Sequence, residues 1–180
     1  MAKITELTPG TWNVDQSHSE IGFSARHLMI SKVRGRFTSF GGAITVTDDP
    51  LASTVHAVAD TASITTGDES RDVHLMSPDF FDVDHFPTLT FVSTSIEQHG
   101  DDFRLAGLLT VKDITKPVIF VLEFDGVSTD PWGNTKAGFS AETEVNRKEW
   151  GLEWNVALEA GGVLVGDKVK IQLDIEAVKA

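Results

Sequence analysis

In Leu89-Thr90-Phe91-Val92-Ser93-Thr94-Ser95-Ile96 the pair Leu89/Phe91 alternates against Thr90/Val92. In an extended strand this alternation sends Leu89 and Phe91 to one face and Thr90 and Val92 to the other. The same rhythm recurs outward along the chain. Residues 20–26 place Ile21, Phe23 and Ala25 on one face. Thr54–Ile64, Arg104–Val111, Val118–Val127, Lys136–Val145 and Lys168–Val178 are further strand candidates. Residues 33–46 form a long extended run in which Gly35 and the pair Gly41-Gly42 predict a turn or bend. Asp48-Asp49-Pro50, Gln98–Asp102 and Asp130–Asn134 separate the runs as turns. Strand after strand of this length predicts an all-β antiparallel sandwich or barrel, with residues 1–180 forming one domain.

One interruption stands out, from Gly67 to Pro87. Asp68–Met76 predicts a short helix, and Ser77–Asp82 a second one opening at Pro78. Such an insert plugs one end of a barrel or covers a face. In Val118-Ile119-Phe120-Val121-Leu122 both faces of a strand are apolar. Ile119 and Val121 therefore need cover, from the insert or from a second subunit, and a homodimer is the expectation.

Composition bounds the chemistry. The 180 residues carry 27 acidic and 15 basic side chains, a net charge of −12. That excess repels nucleic-acid phosphates and anionic membrane surfaces. No cysteine is present, which excludes disulfides, zinc thiolates and thiol nucleophiles. The first nine residues contain no signal-peptide core, and no run approaches a membrane-spanning length. A soluble, cytoplasmic protein is the expectation.

A barrel of about eight strands can enclose an elongated ligand. The inward positions are Ile21, Phe23, Phe37, Ile44, Phe91 and Leu109, with Val111, Phe120, Leu122, Phe139, Leu173 and Ile175. With 11 Phe, 4 Trp and no Tyr in the chain, no phenol can donate a hydrogen bond inside. Such a lining favours hydrocarbon over a sugar or nucleotide. Most apolar strand faces are packed core, however, and periodicity alone does not lift a ligand reading above that one.

Sharper chemistry finds little support. Asp15, Ser17 and His18 supply the letters of a catalytic triad. In an extended strand His18 would point away from the other two, so a capping role is expected. The six histidines form no His-x-His or His-Glu-x-x-His pattern. Asp82-Val83-Asp84-His85 could offer oxygen and nitrogen ligands, but turn residues are expected before Phe86-Pro87, and no metal or other cofactor is expected. Arg71 is expected to pair with a carboxylate and lock the insert. Arg34 and Arg36 are open between a cationic rim at the mouth and a structural role. Trp150 and Trp154 could form a lid or a partner surface.

Several segments in order resemble the YceI-like family. They include Trp12–Ser19, His27–Phe37, Arg71–Leu75, Asp79–Asp82, Phe86–Phe91, Gly107–Val111, Thr115–Val118, Asn146-Arg147 and Val165–Val169. The chain departs from the family pattern at Lys112-Asp113, where a His-Gly pair is more usual. The resemblance implies a lipocalin-like antiparallel β-barrel with a short helical insert around a hydrophobic channel. It implies binding of a polyisoprenoid or isoprenoid quinone as ligand, without catalysis. The insert's Leu75, Met76, Phe80 and Phe81 are then the expected gate, hinged at Gly67 and Phe86-Pro87. The alternatives are an enzyme acting on an isoprenoid lipid, or a stress-linked structural module with an incidental pocket.

Overall fold

The computed structural model describes residues 2–159 and 161–180. Its strands in chain order are β1 (Gly10–Val14), β2 (Glu20–His27), β3 (Ser31–Phe37), β4 (Phe40–Val46), β5 (Thr54–Asp60) and β6 (Ile64–Thr65). After helix α1 (Glu69–Met76) come β7 (Thr88–His99), β8 (Asp102–Val111), β9 (Ile114–Thr129), β10 (Thr135–Asn146) and β11 (Val165–Lys179). Neighbours run in the order β1-β4-β5-β7-β8-β9-β10-β11, and β11 pairs again with β1, closing an eight-stranded antiparallel barrel. A branch, β2-β3-β6, continues from the rest of β11, with Ile21 opposite Leu173 and Phe37 opposite Ile64. Closure leaves no unpaired edge around the ring, which satisfies backbone groups and blocks edge-to-edge association.

The alternation read from the sequence sets the wall. Along β8, Phe103, Leu105, Leu109 and Val111 are buried, while Leu108 faces outward and is exposed. Along β9, Val118, Phe120 and Phe124 are buried, while Ile119 is 57% exposed. The insert packs by Leu75, Met76 and Phe81 on the cluster of Phe37, Ala59 and Ile64, so it gives Ile119 no cover.

Two local expectations are corrected. The 33–46 run breaks at Thr38-Ser39, and Gly41 and Gly42 lie inside β4. Gly42 is there for close approach: a Cβ would stand 2.6 Å from the His56 carbonyl oxygen on β5. The second helix does not form. Phe81 N–H donates to Leu75 O at 2.9 Å and Val83 N–H to Met76 O at 3.0 Å, folding residues 77–83 back over the end of α1 as turns. Helix α1 itself follows its signals: Asp68 accepts from Arg71 N–H at 3.1 Å, and Glu69 and Asp72 sit in the first turn.

The β2–β3 connection is unusual. Leu28 and Met29 both have positive φ, 54° and 61°. Large side chains in the left-handed region cost on the order of 1–2 kcal/mol each. No helix among the described residues is long and apolar enough to cross a membrane.

Candidate functional site: an apolar channel through the barrel

The interior is not filled. A cavity of about 300 Å³ runs inside the barrel, and its wall includes all twelve inward positions, from Ile21, Phe23 and Phe37 to Leu173 and Ile175. Small residues make the room. Gly35 lies beneath the Phe23 ring, where a Cβ would come within 2.4 Å of Phe23 Cζ, so the ring lies against the wall. Gly41 on β4 and Ala57 on the neighbouring β5 line the same space.

Two different ends close the channel. At one end stand Ile4 and Leu7 from the N-terminal turn, with Pro50, Ser53 and Phe103. At the other stand Leu75, Phe80 and Phe81 from the insert, with Arg147, Trp150, Leu152 and Val165. Of the four gate candidates, three line the cavity. Met76 does not; it packs outside the lining on the Phe37 cluster.

The insert and the Trp150–Trp154 segment share one end. Trp154 meets the His74 ring edge-to-face at 4.5 Å between centroids and the Phe80 ring, tilted, at 5.5 Å. Trp150 is no flexible lid: it is 2% exposed, and its indole N–H donates to Leu109 O at 2.9 Å. Both roots of the insert are pinned. Thr61 Oγ1 donates to Phe86 O at 2.7 Å and its N–H to Pro87 O at 2.9 Å. At the Gly67 root, Arg71 bonds not to a carboxylate but to Thr66, Nε to Oγ1 at 2.7 Å and Nη2 to the carbonyl at 3.0 Å. Asp72 accepts from Thr66 as well, at 2.6 Å from Oγ1 and 2.8 Å from N.

Two polar residues in the wall escaped sequence reading as site residues. Arg147 is 4% exposed. Its guanidinium donates to the carbonyls of Gly166, Leu152 and Val165, and lies 6.0 Å over the Phe80 ring. Burial lowers its pKa, an effect opposed by nearby Asp167. Ser53 is 6% exposed, and among the described residues its Oγ is the buried side-chain polar atom without a partner in the protein. The only signal for Arg147 was its place in the Asn146-Arg147 segment, directly after β10, that resembles the family pattern. Ser53 had none, since its burial depends on contacts remote in sequence. Arg34 and Arg36 are exposed on the outer face and do not line the lumen.

Asp15, Ser17 and His18 are brought together, contrary to the extended-strand expectation, because residues 16–18 form a 3₁₀ turn. Asp15 caps that turn, accepting from Ser17 N–H at 3.1 Å. His18 Nδ1 meets both Asp15 Oδ2 at 2.9 Å and Ser17 Oγ at 3.2 Å. A relay needs the nucleophile and the orienting carboxylate on opposite ring nitrogens of the histidine; here both contacts fall on one. Glu176 joins Asp15 and His18 in a cluster of metal-ligating side chains, but Lys136 Nζ stands 2.7 Å from Glu176 and 3.5 Å from Asp15, supplying the positive charge itself. At the Asp82–His85 turn, His85 Nδ1 lies 2.9 Å from Asp82 Oδ1, and this contact raises the exposed imidazole's pKa.

Comparison with known proteins agrees with this architecture. The YceI-like domain model matches residues 12–177. A UPF0312 protein of Staphylococcus aureus strain USA300 is 39% identical over 165 residues, covering 90% of this chain and 94% of that one. The crystal structure of Burkholderia cenocepacia BcnA superposes with a TM-score of 0.75 at 20% identity, covering 91% and 98% of the two chains. A polyisoprenoid-binding domain from Saccharophagus degradans, implicated in plant cell wall breakdown, superposes with a TM-score of 0.73 at 14% identity, covering 94% and 98%. The chain belongs to the YceI-like domain family.

Proposed function

We propose that this protein binds and carries one long-chain isoprenoid lipid, a polyisoprenoid or an isoprenoid quinone, in the barrel lumen. The observation that carries the reading is the apolar channel itself, lined by Phe23, Phe91, Phe120, Phe139 and their aliphatic neighbours. Hydrocarbon placed there loses its contact with water, while a sugar or nucleotide would leave polar groups unpaired. The likeness to a domain described as polyisoprenoid-binding points the same way. Carriage rather than turnover fits a wall whose buried polar side chains are Ser53 and an Arg147 already engaged by carbonyls. In this reading the insert end is the entrance: Leu75, Phe80 and Phe81 form its movable wall, with Met76 supporting them from behind.

Delipidated protein titrated with a polyprenol should show saturable, one-to-one binding reported by Trp150 fluorescence. Phe120→Asp should abolish that signal while the β-type circular dichroism persists. A wild-type protein that takes up no polyprenol and no isoprenoid quinone overturns the reading.

A further inference from the structure

The β2–β3 hairpin reverses the character of the rest of the surface. Its tip exposes three large apolar side chains in succession: Leu28 at 39%, Met29 at 55% and Ile30 at 80%. Leu28 and Met29 hold left-handed backbone conformations that glycine or asparagine would adopt with less strain. Folding stability alone does not account for apolar bulk there.

The charge is equally local. From Arg26 to Arg36 the hairpin carries Arg26, Lys32, Arg34 and Arg36 and no acidic residue, in a chain of net charge −12. All four cations are exposed, and none forms an ion pair among the described residues. Arg26 lies directly opposite Lys32 across the two strands, a like-charge pairing that weakens a hairpin. Apolar side chains at a tip with cations just behind them match a bilayer interface, where the apolar groups enter the acyl boundary and the cations meet anionic headgroups.

The tip also stands beside the channel's entrance. Leu28 N–H donates to Leu164 O at 2.8 Å, and His27 pairs with Val165, which lines the cavity. We infer that the Leu28-Met29-Ile30 tip and its flanking cations dock the barrel on an anionic lipid bilayer, setting the insert end against the membrane from which the ligand is drawn. The net charge, which repels such a surface as a whole, is overridden at this face. The inference draws its purpose from the proposed lipid carriage, but its test does not depend on that reading.

Co-sedimentation with phosphatidylcholine vesicles, with and without phosphatidylglycerol, reads the docking directly. Wild-type protein should partition onto the anionic vesicles and dissociate as salt rises. Arg26→Gln with Lys32→Gln should weaken partitioning about twenty-five-fold, at roughly fivefold per cation. Met29→Asp with Ile30→Asp should weaken it at least about tenfold even at low salt, through lost apolar insertion. Both variants should melt no lower than wild type and keep the wild-type titration with detergent-dispersed polyprenol. Absence of wild-type sedimentation, or equal sedimentation of wild type and both variants, overturns the inference. So does a tip variant that halves the protein's mass in solution without changing vesicle binding, since the tip would then be a contact between copies of the chain. Failure of the polyprenol titration with vesicle docking intact sinks the carriage reading instead.

Discussion

The Phe91 ring lies directly over Gly107: a Cβ at position 107 would stand 2.3 Å from Phe91 Cζ and 2.6 Å from the Val92 carbonyl oxygen. The ring therefore lies along the barrel wall, edge-on to Phe120 at 5.5 Å, instead of projecting across the lumen. Gly107→Ala should drive Phe91 inward, costing about 1–3 kcal/mol of stability and reducing lipid capacity. Adding Phe91→Leu should recover binding, because the colliding ring is gone. Urea unfolding and polyprenol titration of the single and double variants read both effects. Unchanged binding in the single variant would show that the lumen is wider than the ring contact requires.

Ser53 supplies a second test, through its unpartnered hydroxyl. Removing a buried hydroxyl that has no bond relieves its desolvation, so Ser53→Ala should raise the stability of the ligand-free protein by about 1 kcal/mol. A loss of similar size in urea unfolding would mean that the hydroxyl bonds an ordered water inside the channel.

The Asp15 turn predicts a pH dependence. The hydrogen bond from His18, then that from Ser17, holds the Asp15 carboxyl at about 2, below its ordinary 3.8. A depressed carboxylate stabilises the fold above the ordinary value, and that contribution is lost as pH falls from 3.8 through about 2. The melting temperatures of wild type and Asp15→Asn should differ at pH 6 and converge near pH 2, as follows from the same titration. The difference should correspond to no more than about 1 kcal/mol, because the pair reaches solvent. A gap that widens on acidification would contradict the assignment.

The outer faces of β7, β8 and β9 bring Val92, Leu108 and Ile119 together, all exposed, with Val92 opposite Leu108 and Ala106 opposite Ile119. On this stripe we place the contact of a homodimer. Light scattering at micromolar concentration should give twice the 19.6 kDa chain mass, and Ile119→Lys should return it to one. A wild-type monomer would remove the dimer and leave the stripe solvated.

Much of this fold was legible in the alternation of apolar side chains, because a barrel wall uses one face of each strand and imposes a period of two. Phe23, Phe91, Phe120 and Phe139 reach the lumen for that reason alone. What was not legible depends on contacts distant in sequence. The glycines at 41 and 42 read as a bend, since nothing in their neighbours reveals β5 pressed against position 42. Asp15, Ser17 and His18 were misread as extended because a 3₁₀ turn of three residues has no period. Trp150 and Trp154 could not be assigned to the insert's end without the pairing of β10 with β11, which places the loop after Asn146 beside α1.

Native mass spectrometry of the purified, undelipidated protein tests the central claim most directly. The account predicts a species heavier than the bare protein by one long-chain isoprenoid lipid per 19.6 kDa chain, with the lipid released intact on collisional activation and absent from Phe120→Asp. A chain that carries no such adduct, and gains none when mixed with polyprenol or isoprenoid quinone, would contradict it.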